Sequence, residues 1–187
     1  MVEIRGLSIN GSIAALKKRK GDQVYNDVVS QLDEQSRQLF EAPILDVGWY
    51  SLDSFLTFLE QDIKLTANGD ANVLATWTGD LNEQHLRDIY AGFIKSESPQ
   101  FFIRHVAIIH QLYFRGVSIQ MKFDGSNKAI ITFTGFEKQH KLIEPIVIGF
   151  YRKVLEIAGV KDIYAQYLTS IEENKGYCEL EITWTEQ

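Results

Sequence analysis

The pattern of hydrophobic and polar positions divides the chain into a mainly helical first half and a second half that alternates helices with strands. In the first half, apolar residues recur at helical spacing most clearly from Leu52 to Ile63. Ser98 and Pro99 then begin the most apolar helix, whose polar side chains form one narrow stripe of Gln100, Arg104, Gln111 and Arg115. A helix this apolar is predicted to be a central helix surrounded by protein.

Four strands are predicted in the second half, paired in two hairpins over residues 117–133 and 163–184, with a helix that begins near Pro145 between them. Alternation in the last strand predicts one buried face, formed by Cys178, Leu180, Ile182 and Trp184. We therefore expect an α+β fold, in which an N-terminal helical layer packs on an antiparallel sheet of about four strands, built from two hairpins with a crossing helix.

The length of 187 residues fits a single domain over 1–187. Within it we expect a mainly helical part over 1–97 and the central helix plus the sheet over 98–187. Asp80, followed by Glu83, resembles a capping box and is expected to begin a helix separate from a short one near Trp77.

The net charge of −6 argues against nucleic acid or an anionic membrane surface as the main partner. No apolar run approaches the roughly 18 residues that span a bilayer, and the N-terminus has no signal-peptide pattern. Cys178 is the single cysteine, so no internal disulfide is possible. These features favour a cytoplasmic protein without a membrane span.

Histidines are the most interesting polar residues. His105 and His110 both lie in the apolar arc of the central helix, but a spacing of five puts them about 140° apart, so they cannot jointly hold one metal ion. One imidazole could be an axial ligand of a heme iron. The commoner alternative is a core histidine hydrogen-bonded to the backbone. His85 and His140 lie in polar contexts and are expected to be exposed.

Catalytic motifs are missing from the sequence: it has no Gly-x-Ser-x-Gly, no glycine-rich phosphate loop and no Cys-x-x-Cys. The carboxylates are scattered, without the apolar pairing that tunes catalytic acids. Cys178 is expected to pack as a small hydrophobic residue. We therefore expect a protein that is not an enzyme and holds no structural metal.

Two segments, 143–150 and 154–160, followed by the closing strand 176–184, resemble bacterial 4-vinyl-reductase-type ligand-binding domains. Residues 48–52 and 98–101 look more like an uncharacterised bacterial domain family with the same ending. Both families are similar in fold to the heme-based nitric-oxide/oxygen sensor (H-NOX) domains and to the TRAPP vesicle-tethering subunits.

The resemblance implies specific residues for heme binding. The heme sensors carry their proximal histidine on a helix just before the sheet, and His105 is the best match here. They bind the heme propionates with a Tyr-x-Ser-x-Arg motif, whereas the comparable stretch from Phe133 to Glu137 lacks the tyrosine, the serine and the arginine. Zinc-binding members use several cysteines, and this chain has only Cys178. The cofactor is therefore left open, with heme possible but disfavoured by the missing motif.

The function expected from these observations is a ligand-sensing or regulatory domain that binds a small apolar ligand and signals in trans. Its pocket is predicted near Trp49, Tyr50, Phe55, His105 and Ile109. An alternative is a protein-interaction subunit with a solid core, either homodimeric or part of a complex. A third possibility is a heme-based gas sensor that uses His105.

Overall fold

The structure is a computed structural model that describes residues 1–90 and 98–185. Six residues within it are described by their backbone only: Asn82, Gln84, His85, Asp88, Ile89 and Tyr90. The chain folds into two compact units. The first contains Met1–Val73 and Leu112–Gly116, and the second contains the other described residues.

The first unit combines four helices with a small antiparallel sheet. Its helices are α1 (Gly6–Lys20), α2 (Asp22–Ser30), α3 (Glu34–Glu41) and α4 (Leu52–Thr66). Its strands are β1 (Glu3–Arg5), β2 (Trp49–Ser51) and β3 (Phe114–Arg115), in the order β2-β1-β3. This three-stranded sheet was not predicted, because strands of two or three residues are too short to show alternation.

The predicted amphipathic helix over 52–63 is confirmed as α4. The Ser51 side chain caps it by accepting a hydrogen bond from the Ser54 N–H (3.3 Å). The apolar stripe of α4 is buried, and the Phe58 ring stacks on Phe40 with centroids 4.7 Å apart. This stripe forms the core of the first unit.

The remaining elements, from Val73 onward, are three helices and four strands. The helices are α5 (Val73–Tyr90), α6 (Pro99–Tyr113) and α7 (Ile143–Ile157). The strands are β4 (Ser118–Phe123), β5 (Lys128–Thr134), β6 (Lys161–Thr169) and β7 (Tyr177–Thr185). They form an antiparallel sheet in the order β4-β5-β7-β6. The predicted α+β class, the two hairpins and the helix between them are confirmed.

The buried face of this sheet is the predicted one. Alternate residues of β7 are buried, namely Cys178, Leu180, Ile182 and Trp184, and those of β5 are Ala129, Ile131 and Phe133. Helix α7 contacts β6 and buries its own apolar side, including Val147, Phe150, Val154 and Leu155. The core of the second unit therefore lies at this face of the sheet.

Two predictions about the helices are wrong. Helix α5 is continuous from Val73 to Tyr90, so Asp80 lies inside it and does not begin a new helix. The central helix was predicted to include Arg115. Helix α6 ends at Tyr113 instead, because Phe114 and Arg115 enter β3, where Phe114 pairs with Ile4.

Candidate functional site

His105 lies on α6 with its imidazole held by the preceding turn of the helix. Its Nδ1 is 2.9 Å from the carbonyl oxygen of Phe101, and the two rings lie with centroids 3.9 Å apart. A carbonyl oxygen can only accept, so Nδ1 carries the proton in this bond. In the neutral imidazole, Nε2 therefore carries the lone pair and can accept a hydrogen bond or bind a metal.

Exposed apolar side chains adjoin His105 on α6. Ile108 is 59% exposed and Leu112 is 61% exposed, while Ile109 is partly buried. The prediction that α6 is surrounded by protein is therefore wrong along this part of its surface. Large aliphatic side chains with this much exposure, beside a polar histidine, form a surface that an apolar molecule can cover.

His110 is buried, in contrast to the exposed side chains beside His105. Its ring is buried among Phe133, Phe150 and Tyr151, with centroids 6.2, 5.0 and 5.1 Å away. Burial lowers the pKa of His110 to about 3, because the positive form loses its hydration. His110 is thus a neutral core residue at physiological pH.

The other predicted pocket residues lie in the first unit. Phe55 is buried in α4, and Trp49 and Tyr50 are in β2. The guanidinium groups of Arg5 and Arg115 each lie 4.5 Å from the centre of the Trp49 ring. The Tyr50 hydroxyl accepts a hydrogen bond from the Leu45 N–H (2.8 Å). His105 and Ile109 lie in the second unit, so a pocket shared by all five residues stays a prediction.

The segment after β5 forms a capped turn. Glu137 and His140 bracket a short 3-10 helix, Lys138–His140: the Glu137 carboxylate accepts from the His140 N–H, and His140 Nδ1 accepts from the Glu137 N–H (2.8 Å). Gln139 Nε2 donates to the same carboxylate at 3.0 Å. His140 is buried by this arrangement, so its predicted exposure is wrong; the His85 side chain lies outside the described residues.

Metal ligands do not cluster in the part of the chain that the structure describes. The described residues contain no group of three His, Cys, Asp or Glu side chains that could hold an ion. Cys178 is buried on β7, and burial raises the pKa of its thiol to about 12, so it is a packed thiol, not a reactive thiolate. No helix among the described residues is long and apolar enough to span a membrane.

The architecture places the chain in a fold class. The sequence matches no protein-family model and no curated protein. In three dimensions, however, it is similar over nearly its whole length to H-NOX domains, so it has the H-NOX fold. The predicted relation to that fold is confirmed, while the relations to 4-vinyl-reductase-type domains and tethering subunits stay predictions.

Three solved structures illustrate the similarity. The Fe(II) unliganded H-NOX protein from K. algicida is 12% identical, with a TM-score of 0.73 and coverage of 98% of each chain. The Fe(II)NO form of an H-NOX protein from S. oneidensis is 14% identical, with a TM-score of 0.70 and coverage of 98% of this chain and 100% of that one. An oxygen-binding H-NOX domain related to soluble guanylate cyclases is 11% identical, with a TM-score of 0.68 and coverage of 98% and 96%.

The residues present do not fit a heme held in the manner that the sequence resemblance implies. His105 offers an Nε2 lone pair, as an axial ligand must. The position expected to hold the heme propionates, however, has the buried ring of Phe133 in place of a tyrosine and the carboxylate of Glu137 in place of an arginine. A carboxylate repels a propionate, and that of Glu137 is already used to cap the turn.

Sequence reasoning singled out His105 but missed its neighbour Ile108. The apolar arc of α6 includes Ile108, and nothing in the pattern distinguishes an apolar residue that packs inside from one that is left exposed. The hydrogen bond that orients the His105 ring could have been anticipated in part. In any helix the carbonyl of the residue four positions earlier lies nearby, but the sequence does not say whether the side chain bonds to it.

Proposed function

We propose that this chain is a non-enzymatic sensor domain of H-NOX fold that binds a small apolar ligand without heme. The ligand would lie against the face of α6 formed by His105, Ile108 and Ile109, here called the α6 face. The observation that carries the proposal is the exposure of Ile108 beside a histidine whose Nε2 is left to accept a hydrogen bond. The similarity to H-NOX domains, among them nitric oxide and oxygen complexes, supports a sensing role.

The chemistry of the α6 face indicates the class of ligand. Covering the exposed part of Ile108 would contribute about 1–2 kcal/mol from apolar burial. His105 Nε2 would accept one hydrogen bond, worth about 1 kcal/mol, from a hydroxyl or N–H group of the ligand. We therefore expect a compact, uncharged, largely apolar molecule with one hydrogen-bond donor.

Indole and indene form a matched pair of probes, because indene keeps the ring shape and lacks the N–H group. Indole is expected to raise the melting temperature of the purified protein more than indene does. His105→Ala should weaken indole binding roughly fivefold, the value of one lost hydrogen bond of about 1 kcal/mol, and abolish the difference between the probes. Leu45→Gln, at a leucine that is 63% exposed in the first unit, is the control and should leave binding unchanged.

Heme binding is tested on the same protein by adding hemin and recording the absorption spectrum. The proposal predicts no Soret band that depends on His105. A stoichiometric Soret band that is lost in His105→Ala would contradict the heme-free proposal and favour the gas-sensor alternative. Failure of both indole and indene to bind, with native mass spectrometry showing no molecule retained from the cell, would contradict ligand sensing at the α6 face.

The second candidate function is that of an assembly subunit, favoured by the same exposure of Ile108 and Leu112. Light scattering distinguishes the two. A dimer that Ile108→Gln converts to a monomer would support assembly through this helix, whereas a monomer at all concentrations favours the sensor.

A further inference from the structure

A half-open groove of about 190 Å³ lies between α5 and α7, entirely within the second unit. Two glycines make it possible. A Cβ atom at Gly149 would overlap the carbonyl oxygen of Ala75, and one at Gly79 would come within 3.2 Å of the Lys153 side chain. The helices therefore approach closely at Gly149, and the missing side chain of Gly79 leaves space beside the charged residues of α7.

Four charged side chains line the groove: Asp80 on α5, and Arg152, Lys153 and Glu156 on α7. Lys153 already has its partners, because its ammonium lies 3.1 Å from Glu156 and 3.5 Å from Glu83. The positive charge of Lys153 and the negative charge of Glu156 are thus compensated within the protein.

Arg152 and Asp80 have no such compensation among the side chains that the structure describes. The Nε of Arg152 is buried and makes no hydrogen bond to any of them, and Arg152 forms no ion pair with any of them. Asp80 likewise has no ion-pair partner among them, although it lines the same groove. Arg152 lines the groove, and a guanidinium carries five N–H donors, so its end is the part of the side chain that can bind an acceptor there.

We propose that this groove binds a small zwitterion of the α-amino acid class, with its carboxylate on Arg152 and its ammonium on Asp80. A guanidinium binds a carboxylate through paired N–H donors, and an ammonium donates to a carboxylate. An anion alone would face the negative charge of Asp80, and a cation alone would leave Arg152 unpaired. A volume of about 190 Å³ compares with ~30 Å³ for one water and suits an amino acid with a small side chain.

The test uses L-alanine as the probe, with acetate and methylammonium as its two single-charge halves, in isothermal titration calorimetry on the full chain. L-alanine is expected to bind at least tenfold more tightly than either half. Arg152→Gln and Asp80→Asn should each weaken L-alanine binding at least tenfold, whereas Arg37→Gln, at a half-buried arginine of α3 in the first unit, should not. Arg152→Lys keeps the charge but loses the paired donors, so an intermediate loss is expected.

The comparison of L-alanine with its halves needs no variant, so it decides the question even if a substitution prevents folding. No binding of L-alanine overturns the proposal. Binding of acetate as tight as that of L-alanine, or L-alanine binding that persists in Arg152→Gln, also overturns it. None of these outcomes depends on the α6 face, because His105→Ala is expected to leave L-alanine binding unchanged.

Discussion

The ion pair between Arg19 and Asp62 is the clearest place to test the energetics of the first unit. Asp62 on α4 is only 2% exposed; its Oδ2 lies 3.0 Å from the Arg19 guanidinium and its Oδ1 accepts from the Thr66 hydroxyl at 2.8 Å. Burial raises the pKa of Asp62 above its ordinary value, although Thr66 and Arg19 each lower it. The carboxylate thus lies in an environment that opposes its charge.

Arg19→Met removes the guanidinium and keeps much of the apolar stem. Breaking a buried pair in this way costs about 3–5 kcal/mol, because the remaining charge is left without its partner. Arg19 is 26% exposed and Thr66 still donates to Asp62, so we expect the lower end, about 3 kcal/mol. Urea denaturation followed by circular dichroism should show a midpoint lower by roughly 1–3 M.

The pH dependence of this loss has a definite sign. Without Arg19, the pKa of Asp62 in the folded state should rise further above its unfolded value of about 3.9. The folded state then binds more protons than the unfolded state, so the variant should recover stability as the pH falls from about 7 toward 4. In the double variant with Asp62→Asn, the loss at neutral pH should shrink to about 1 kcal/mol.

Arg37→Met is the matched control, because Arg37 lies 3.5 Å from Glu41 and 3.8 Å from Glu34, two carboxylates that are exposed to solvent. Its loss should stay below about 0.5 kcal/mol. The reasoning fails if Arg19→Met costs less than about 1 kcal/mol, or if Asp62→Asn does not rescue it.

Three further predictions concern the second unit. Gly149→Ala should destabilise the protein by about 1–3 kcal/mol in urea denaturation, because the new methyl group overlaps the Ala75 carbonyl. Gly79→Ala should cost less, because its closest contact is the flexible side chain of Lys153, and equal losses would contradict this account. Because the pKa of His110 is lowered to about 3, only the unfolded state binds its proton below about pH 6.5, so the free energy of unfolding should fall by ~1.4 kcal/mol per pH unit there. His110→Phe should flatten that slope, and a titration of His110 near pH 6 by NMR would refute it. Cys178, with its pKa raised to about 12, should react with iodoacetamide only after unfolding, so labelling of the native protein at the rate of a free thiol would show the burial to be wrong.

The second unit was the more predictable from sequence, because its elements are long and strongly patterned. Strand β7 alternates over nine residues, and α7 is bounded by Pro145 near its start and Gly159 after its end. Strands β2 and β3 could not be predicted, because two or three residues carry no period, and the pairing of β3 with β1 joins Arg115 to Glu3, far along the chain.

The candidate sites depend on tertiary contacts that a single sequence does not display. The burial of His140 follows from the backbone path around Glu137, which a polar context does not indicate. The charges of Arg152 and Asp80 look like ordinary solvated charges until the helices are placed together. The spacing of Ala75 and Gly79 was a usable signal, since two small residues four apart lie on the same face of a helix and leave room for a neighbouring helix to approach.

Strand β6, an edge of the four-stranded sheet, has a consequence for self-association. It carries two exposed apolar side chains, Tyr164 and Leu168, which on a flat edge would favour pairing with the same strand of another molecule. One register shift lies between Lys161 and Tyr164 and another between Tyr167 and Thr169, so regular pairing with β7 is continuous only over four residues, 164–167. Such bulges bend and twist an edge, so this strand is poorly suited to extend its sheet into a neighbouring copy, and the protein is protected from edge-to-edge aggregation there.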